Sequence, residues 1–284
     1  MRMTIARQLF GVALLAGALP AADTFFFVQL SDPQFGMYTK NNDFKQETAN
    51  FEFAVANVNR LHPAFAIVCG DLVNRAGDKA QIDEYLRIAG KVDRSIPVYS
   101  VAGNHDVGNE PTPASLALYR EPFGRDYYTF RAADFLGIVL NSSIIQHPEN
   151  AVGEAEKQEQ WLKAELEKAR KEGVKRMAVF QHIPFFITKP DEPDQYFNIP
   201  LAPRKRFLDL FGAYRMNYIF AGHYHKNAYG EGGGLKMITT GPVGMPLGAD
   251  PSGIRIVMVG ETKIESKYYG LGNIPNQVDL AGLK

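Results

Sequence analysis

Residues 98–106 run Val98-Tyr99-Ser100-Val101-Ala102-Gly103-Asn104-His105-Asp106: a strand pattern that stops at a glycine and then delivers an amide, an imidazole and a carboxylate. An ending of that kind gains no packing and costs foldability, so it marks a site. The carbonyl oxygen of Asn104 can ligate a metal when nearby carboxylates supply the charge. His105 cannot easily turn to the same ion and can reach past it, as a proton donor beside a metal centre. A chain built this way has to bring the remaining ligands from other strands.

Four more apolar runs end in the same manner. Phe25 to Leu30 gives way to Ser31-Asp32-Pro33-Gln34, and Phe65 to Cys69 to Gly70-Asp71. Met177 to Phe180 leads into Gln181-His182, and Met216 to Phe220 into Ala221-Gly222-His223-Tyr224-His225. The runs fit buried strands. Amphipathic helices are expected over 43–60, closed by Pro63, and over 79–92. That gives three β-loop-α units depositing polar groups at the carboxyl edge, where open α/β sheets bind ligands. An Asp-Pro pair alone is usually a turn, and one strand-end histidine is more often structural. Five such endings in series are not turn chemistry.

The remaining pattern predicts a hairpin from Tyr127 to Leu140 and an amphipathic helix over 154–171 with Trp161, Leu162, Leu166 and Ala169 on one face. Residues 235–240 and 253–269 read as antiparallel strands separated by Gly and Pro turns. The proline-bearing stretch from Thr188 to Pro200 is too long for a tight connection and follows His182, which suits a lid or substrate wall. The glycines at 230 and 232–234 fit a hairpin turn better than a phosphate loop, since no helix follows them. His62 and His147 read as structural or surface groups, and Arg204-Lys205-Arg206 as the solvated face of a helix start.

With 45% hydrophobic and 22% charged residues, the chain can bury a substantial core, and no linker divides it. Basic and acidic residues balance at 31 each, leaving no global field to draw nucleic acid. Arg2 and Arg7 precede an apolar run from Leu9 to Leu19 and then Pro20-Ala21-Ala22-Asp23. This predicts a signal peptide over 1–22, a single domain over 23–284, and export to the periplasm or outside the cell. The run is too short for a comfortable membrane span and has no adjacent cysteine to take a lipid, so no stable membrane anchor is expected. The one cysteine, Cys69, lies in a strand pattern and reads as a small buried apolar residue.

The series Asp32-Pro33-Gln34, Gly70-Asp71, Gly103-Asn104-His105-Asp106, His182 and Gly222-His223-Tyr224-His225 resembles the motif series of the calcineurin-like metallophosphoesterases. Order and spacing match from residue 25 to the C-terminal strands. The phrases around Asp32, Asp71, His223 and Tyr196-Phe197-Asn198 are similar to an animal branch regarded as serine/threonine phosphatases. The resemblance implies a mixed α/β fold, a four-layer αββα sandwich, and two divalent or trivalent ions (Mn, Fe or Zn) about 3.5–4 Å apart and bridged by a carboxylate. It implies Asp71 as the bridge, Asp32 and His225 on the first ion, and Asn104, His182 and His223 on the second. It also implies a metal-bridging hydroxide as nucleophile, His105 as general acid and Asp106 as its support. Gln34 stands where the family usually has histidine; its carbonyl oxygen is a weaker ligand for the first ion.

The expected activity is hydrolysis of a phosphorylated small molecule or phosphoprotein. A phosphodiesterase or nucleotide hydrolase on the same residues remains open. So does a metal-holding binding protein with weak catalysis, against which His105 argues, because a pure binding site needs no proton donor.

Overall fold

The structure, a computed structural model, describes residues 24–283. The expected signal peptide lies outside the described residues. Strands β1 (Phe25–Leu30), β2 (Ala66–Val68) and β3 (Val98–Ser100) alternate with helices α1 (Lys45–Leu61) and α2 (Lys79–Ala89). Two helices follow, the single-turn α3 (Asn104–Val107) and α4 (Pro113–Phe123), then the hairpin β4 (Tyr128–Ala132) and β5 (Phe135–Val139). Next come α5 (Ser142–Gln146), α6 (Glu154–Lys171), β6 (Arg176–Phe180), α7 (Leu201–Ala213) and β7 (Tyr218–Ala221). The chain closes with β8 (Ala228–Gly232), β9 (Leu235–Thr239), β10 (Gly253–Val259) and β11 (Ile264–Gly270).

Two mixed sheets result, ordered β11-β10-β1-β2-β3 and β4-β5-β6-β7-β9-β8. Period-2 alternation decides the layers. In β1, Phe27 faces the second sheet while Val28 and Leu30 face the α1–α2 side; in β2, Ile67 faces in, as does Cys69 just after it, while Ala66 and Val68 face out. In the second sheet, Phe135, Val139, Phe180 and Phe220 point into the seam. Leu136, Ile138, Val179 and Ile219 pack under α6 and α7. The order is therefore helix, sheet, sheet, helix, the αββα sandwich expected. The inner strands β1, β2, β5, β6 and β7 are covered on both faces, which is why they read as near-continuous apolar runs, whereas the edge strand β11 alternates. Cys69 lies fully buried in the seam.

Local chemistry fixes several boundaries. Asp78 caps α2 by accepting from the Ala80 and Gln81 N–H groups, and Thr112 forms a capping box with Ser115 ahead of Pro113 in α4. On α6 the buried face is Gln158, Leu162, Leu166 and Ala169. Trp161 is only half-buried and leans on Tyr127, with ring centroids 5.0 Å apart.

Two sequence expectations change. The C-terminal strands do not form one antiparallel unit: β9 joins the second sheet parallel to β7, while β10 and β11 cross over to extend the first sheet beside β1. Apolar alternation is the same for either partner, so only tertiary packing could choose. The β8–β9 turn at Gly233 and Gly234, both at positive φ, is the expected hairpin. Arg204 is not on a solvated face. It is fully buried, and donates to the carbonyls of Ile199, Pro190 and Glu192, tying α7 to the 188–200 loop. Helix α4 had no place in the sequence reading. Among the described residues, no helix is long and apolar enough to cross a membrane.

Candidate metal centre

All five polar strand endings converge. Parallel pairing of β1 with β2 and β2 with β3 puts Asp32, Asp71 and Asn104 at one sheet edge. Parallel pairing of β6 with β7 does the same for His182, His223 and His225. Two triplets of ligand atoms each fall within 4.8 Å of one another: Asp71, His182 and His223, and Asp32, Asp71 and His225. Asp71 belongs to both. Asn104 joins the first triplet through Oδ1, 3.0 Å from His182 Nε2. Asp32, Gln34, Asp71, Asn104, His182, His223 and His225 are all buried, while His105 is half-buried.

The backbone is bent to achieve this. Asp32, Gln34, Asp71, His223 and His225 lie at φ between 43° and 67°, the left-handed region that non-glycine residues seldom enter. Strain of this kind persists only where the surroundings over-determine it. Here they do: Asp32 N donates to Gly70 O (3.0 Å), Gln34 N to Asp71 O (2.8 Å), and His105 N to Asp71 Oδ1 (2.8 Å). His223 N lies 3.2 Å from Asp32 Oδ2, and Ser31 Oγ donates to the same oxygen. Two motif glycines make the close approach possible. A β-carbon at Gly103 would overlap the backbone nitrogen and Oδ1 of Asp71, and one at Gly222 would overlap Ser31 Oγ. Each of these glycines, one residue before a candidate ligand, makes room for the loop that carries another.

Hydrogen bonds also set the imidazole faces. His182 Nδ1 donates to Cys69 O (2.9 Å), leaving Nε2 facing Asn104 Oδ1 and Asp71 Oδ2, the latter at 3.2 Å. His225 Nδ1 donates to Met245 O (2.6 Å), leaving Nε2 3.3 Å from Asp32 Oδ1. His223 is held the other way round, Nε2 donating to Tyr196 O (3.1 Å), which frees Nδ1. Backbone carbonyls thus fix each ring, and in His182 and His225 they turn the other nitrogen toward carboxylates, the outer-shell arrangement of metal-ligating histidine.

Nitrogen and oxygen acceptors crowded together call for positive charge. Burial works to raise the pKa of Asp71, but the His182 and His105 imidazoles outweigh it and hold the carboxyl below the usual range. Burial works to lower that of His182, and the Asp71 and Asp32 carboxylates overcome it, raising it to about 9. His223, by contrast, is pushed down to about 4 by burial, helped by His182. What a proton on His182 does for these acceptors, a metal cation can do. Gln34 adds a further observation: its Oε1 is buried without a hydrogen-bond partner, a free oxygen donor. The residues present therefore fit cations held by oxygen and imidazole ligands.

Asp106 does not support His105. Its oxygens accept from Val73 N (3.1 Å) and Gly103 N (2.7 Å), binding together the two loops that carry Asp71 and Asn104. Burial, aided by the charge on Asp71, raises its pKa to about 8. The His105 ring is instead held by the carbonyl of Asn74, 2.9 Å from Nδ1. Asn74 and Tyr196 were missed as site residues. Asn74 had a weak signal, three positions after Asp71; a backbone carbonyl such as Met245 O has none.

The calcineurin-like phosphoesterase family matches residues 27–227. The bovine and human serine/threonine-protein phosphatase CPPED1 are each 36% identical to the chain, over 88% of it and 85% of their own length. Among solved structures, a dimetal phosphatase from Danio rerio superposes with a TM-score of 0.60 at 18% identity, covering 87% of this chain and 99% of that one, a likeness of fold. A family match over most of the sequence and relatives at this identity leave one conclusion: the chain belongs to the calcineurin-like phosphoesterases, metal-dependent phosphoric ester hydrolases whose family uses a dinuclear metal site.

Proposed function

We propose that the protein hydrolyses phosphate monoesters at two metal ions. Asp32, Gln34, Asp71 and His225 would hold one ion, and Asp71, Asn104, His182 and His223 the other. The observation that carries this reading is the single Asp71 carboxylate shared by both ligand triplets. When bound, such a pair of ions neutralises phosphoryl charge and makes a water acidic enough to attack at neutral pH.

The chain's own groups do the rest. Asp71 is held in place by the His105 backbone N–H, which ties the shared carboxylate to the residue that carries the proposed acid. Because a carbonyl can only accept, His105 carries a proton on Nδ1 toward Asn74 O. Its Nε2 is then the atom that delivers a proton to the leaving oxygen. The 188–200 loop walls the site at Tyr196, whose carbonyl holds His223 and whose ring is half exposed at the rim. A substrate with phosphate on an exposed hydroxyl, a phosphoserine or phosphothreonine side chain or a small alkyl phosphate, suits this open edge. The phosphatase naming of the animal relatives supports the same class.

The test compares an alkyl phosphate with nitrophenyl phosphate in metal-loaded wild type and His105→Ala. The alkyl ester should lose about 10²–10⁴-fold and the nitrophenyl ester far less, since its leaving group needs little protonation. Equal losses would remove His105 as the acid. Faster turnover of bis(nitrophenyl) phosphate than of the monoester would replace the monoesterase reading with a diesterase.

A further inference from the structure

A side-chain amide makes an ambiguous ligand. Its two ends have nearly the same shape, and only the oxygen binds a cation, so Gln34 serves as a ligand only if something dictates which end faces the ion. Three further amides do so. Gln81, on α2, accepts the backbone N–H groups of Asn74 (2.9 Å) and Arg75 (3.0 Å). Backbone N–H groups cannot accept, so the Gln81 atom facing them must be Oε1. Its Nε2 therefore donates to Asn41, 2.8 Å away, which fixes that atom as Oδ1. Asn74 must then present Nδ2 to the same oxygen, also at 2.8 Å, and turns its Oδ1 to Gln34. Gln34 meets it with Nε2 at 3.1 Å, and Gln34 Oε1 is left buried with no partner.

We propose that Gln81, Asn41 and Asn74 form an amide relay whose function is to present Gln34 Oε1 to the first metal ion. Asn74 is its positioning residue. The relay starts from two backbone N–H groups, whose polarity cannot flip, and passes that polarity through three amides into the site. It explains how glutamine stands where imidazole is usual. An imidazole can be steered by one carbonyl, as His225 is by Met245, whereas an amide oxygen needs its nitrogen end engaged. Asn74 also holds His105 through its own carbonyl, so one residue positions both a ligand of the first ion and the proposed acid. The inference rests on the ligand assignment made above for Gln34.

The experiment reads metal affinity, not turnover: Mn²⁺ binding to chelator-stripped protein by competition, in wild type, Gln34→Ala, Asn74→Ala and the double variant. Asn74→Ala should weaken one of the two ions by about 10-fold, the scale of an outer-shell loss. Because both changes act on one ligand, the double variant should bind no more weakly than Gln34→Ala alone. If Asn74→Ala does not fold, Asn41→Ala interrupts the relay one step earlier with Gln34 and Asn74 intact, and should weaken the same ion. Wild-type affinity in the folded relay variants, or additive losses in the double variant, would overturn the relay while leaving Gln34 a ligand. Wild-type affinity in Gln34→Ala would overturn the relay and remove Gln34 from the ligand set. Tight Mn²⁺ binding with the expected pattern but no ester hydrolysis would sink the proposed function and leave the relay standing.

Discussion

The seam between the sheets and the rim where the strands end are built by the same strands and follow opposite rules. In the seam, Phe27 stacks on Phe65 with ring centroids 4.6 Å apart, and Phe180 on Phe220 at 5.4 Å. The backbone there is extended, and side chains of similar volume could replace one another at small cost. A few residues on, Asp32, Asp71, His223 and His225 sit in left-handed backbone with buried polar groups turned toward one another. The seam cares about volume and little about chemical identity. At the rim one atom type decides everything, and the conformation is one these residues would not choose alone. The fold works because apolar burial in the seam holds the rim in its strained shape.

The sharpest way to separate the two is Asp71→Asn. It should remove both ions together, since one carboxylate serves both triplets, and reduce hydrolysis to the level of metal-free protein. Far-UV circular dichroism should remain native, because no seam contact changes. A variant that kept two ions per chain and normal turnover would break the assignment. The converse change is Phe180→Ala, which opens a void among Phe27, Phe65, Phe130 and Phe220. It should cost about 3–5 kcal/mol in denaturant unfolding while metal content per folded chain stays at the wild-type value. Loss of metal without loss of stability would show that seam and rim are not separable.

The smallest effect concerns the 188–200 loop. Burial works to raise the pKa of Glu192, but donors from Ile187 N, the Asn198 amide and Thr188 outweigh it and hold it at about 2. The folded value lies below the unfolded one of about 4.3, so its stabilisation is present above that pH and is lost as pH falls toward 2. Glu192→Gln should flatten the acid slope of Tm between those limits and cost about 2 kcal/mol at neutral pH, the scale of hydrogen bonds to a charged group. An unchanged acid slope would show that the Glu192 carboxylate does not hold the loop.

Much of this molecule was legible in the chain. β1 and α6 fall where the pattern placed them, and the five polar strand endings are the residues that converge. They could be read because apolar runs and their terminating Asp, Asn and His are properties of the sequence itself. Arg204 could not be read: in a basic triplet at a helix start, nothing distinguishes the buried member from Lys205 and Arg206, which point outward.

What the sequence determined by itself is the set of candidate ligands and the strands that carry them, since side-chain type and period-2 burial are local properties. Tertiary structure decided which groups orient those ligands. Cys69 O, Met245 O, Tyr196 O and Asn74 O each hold an imidazole through a backbone carbonyl, a group every residue carries and no residue advertises. It also decided that β9 and β10 part company into different sheets, and that Asp106 binds backbone instead of His105. Hydrogen bonds between residues far apart in sequence are selected by shape, and shape exists only once the two sheets have packed.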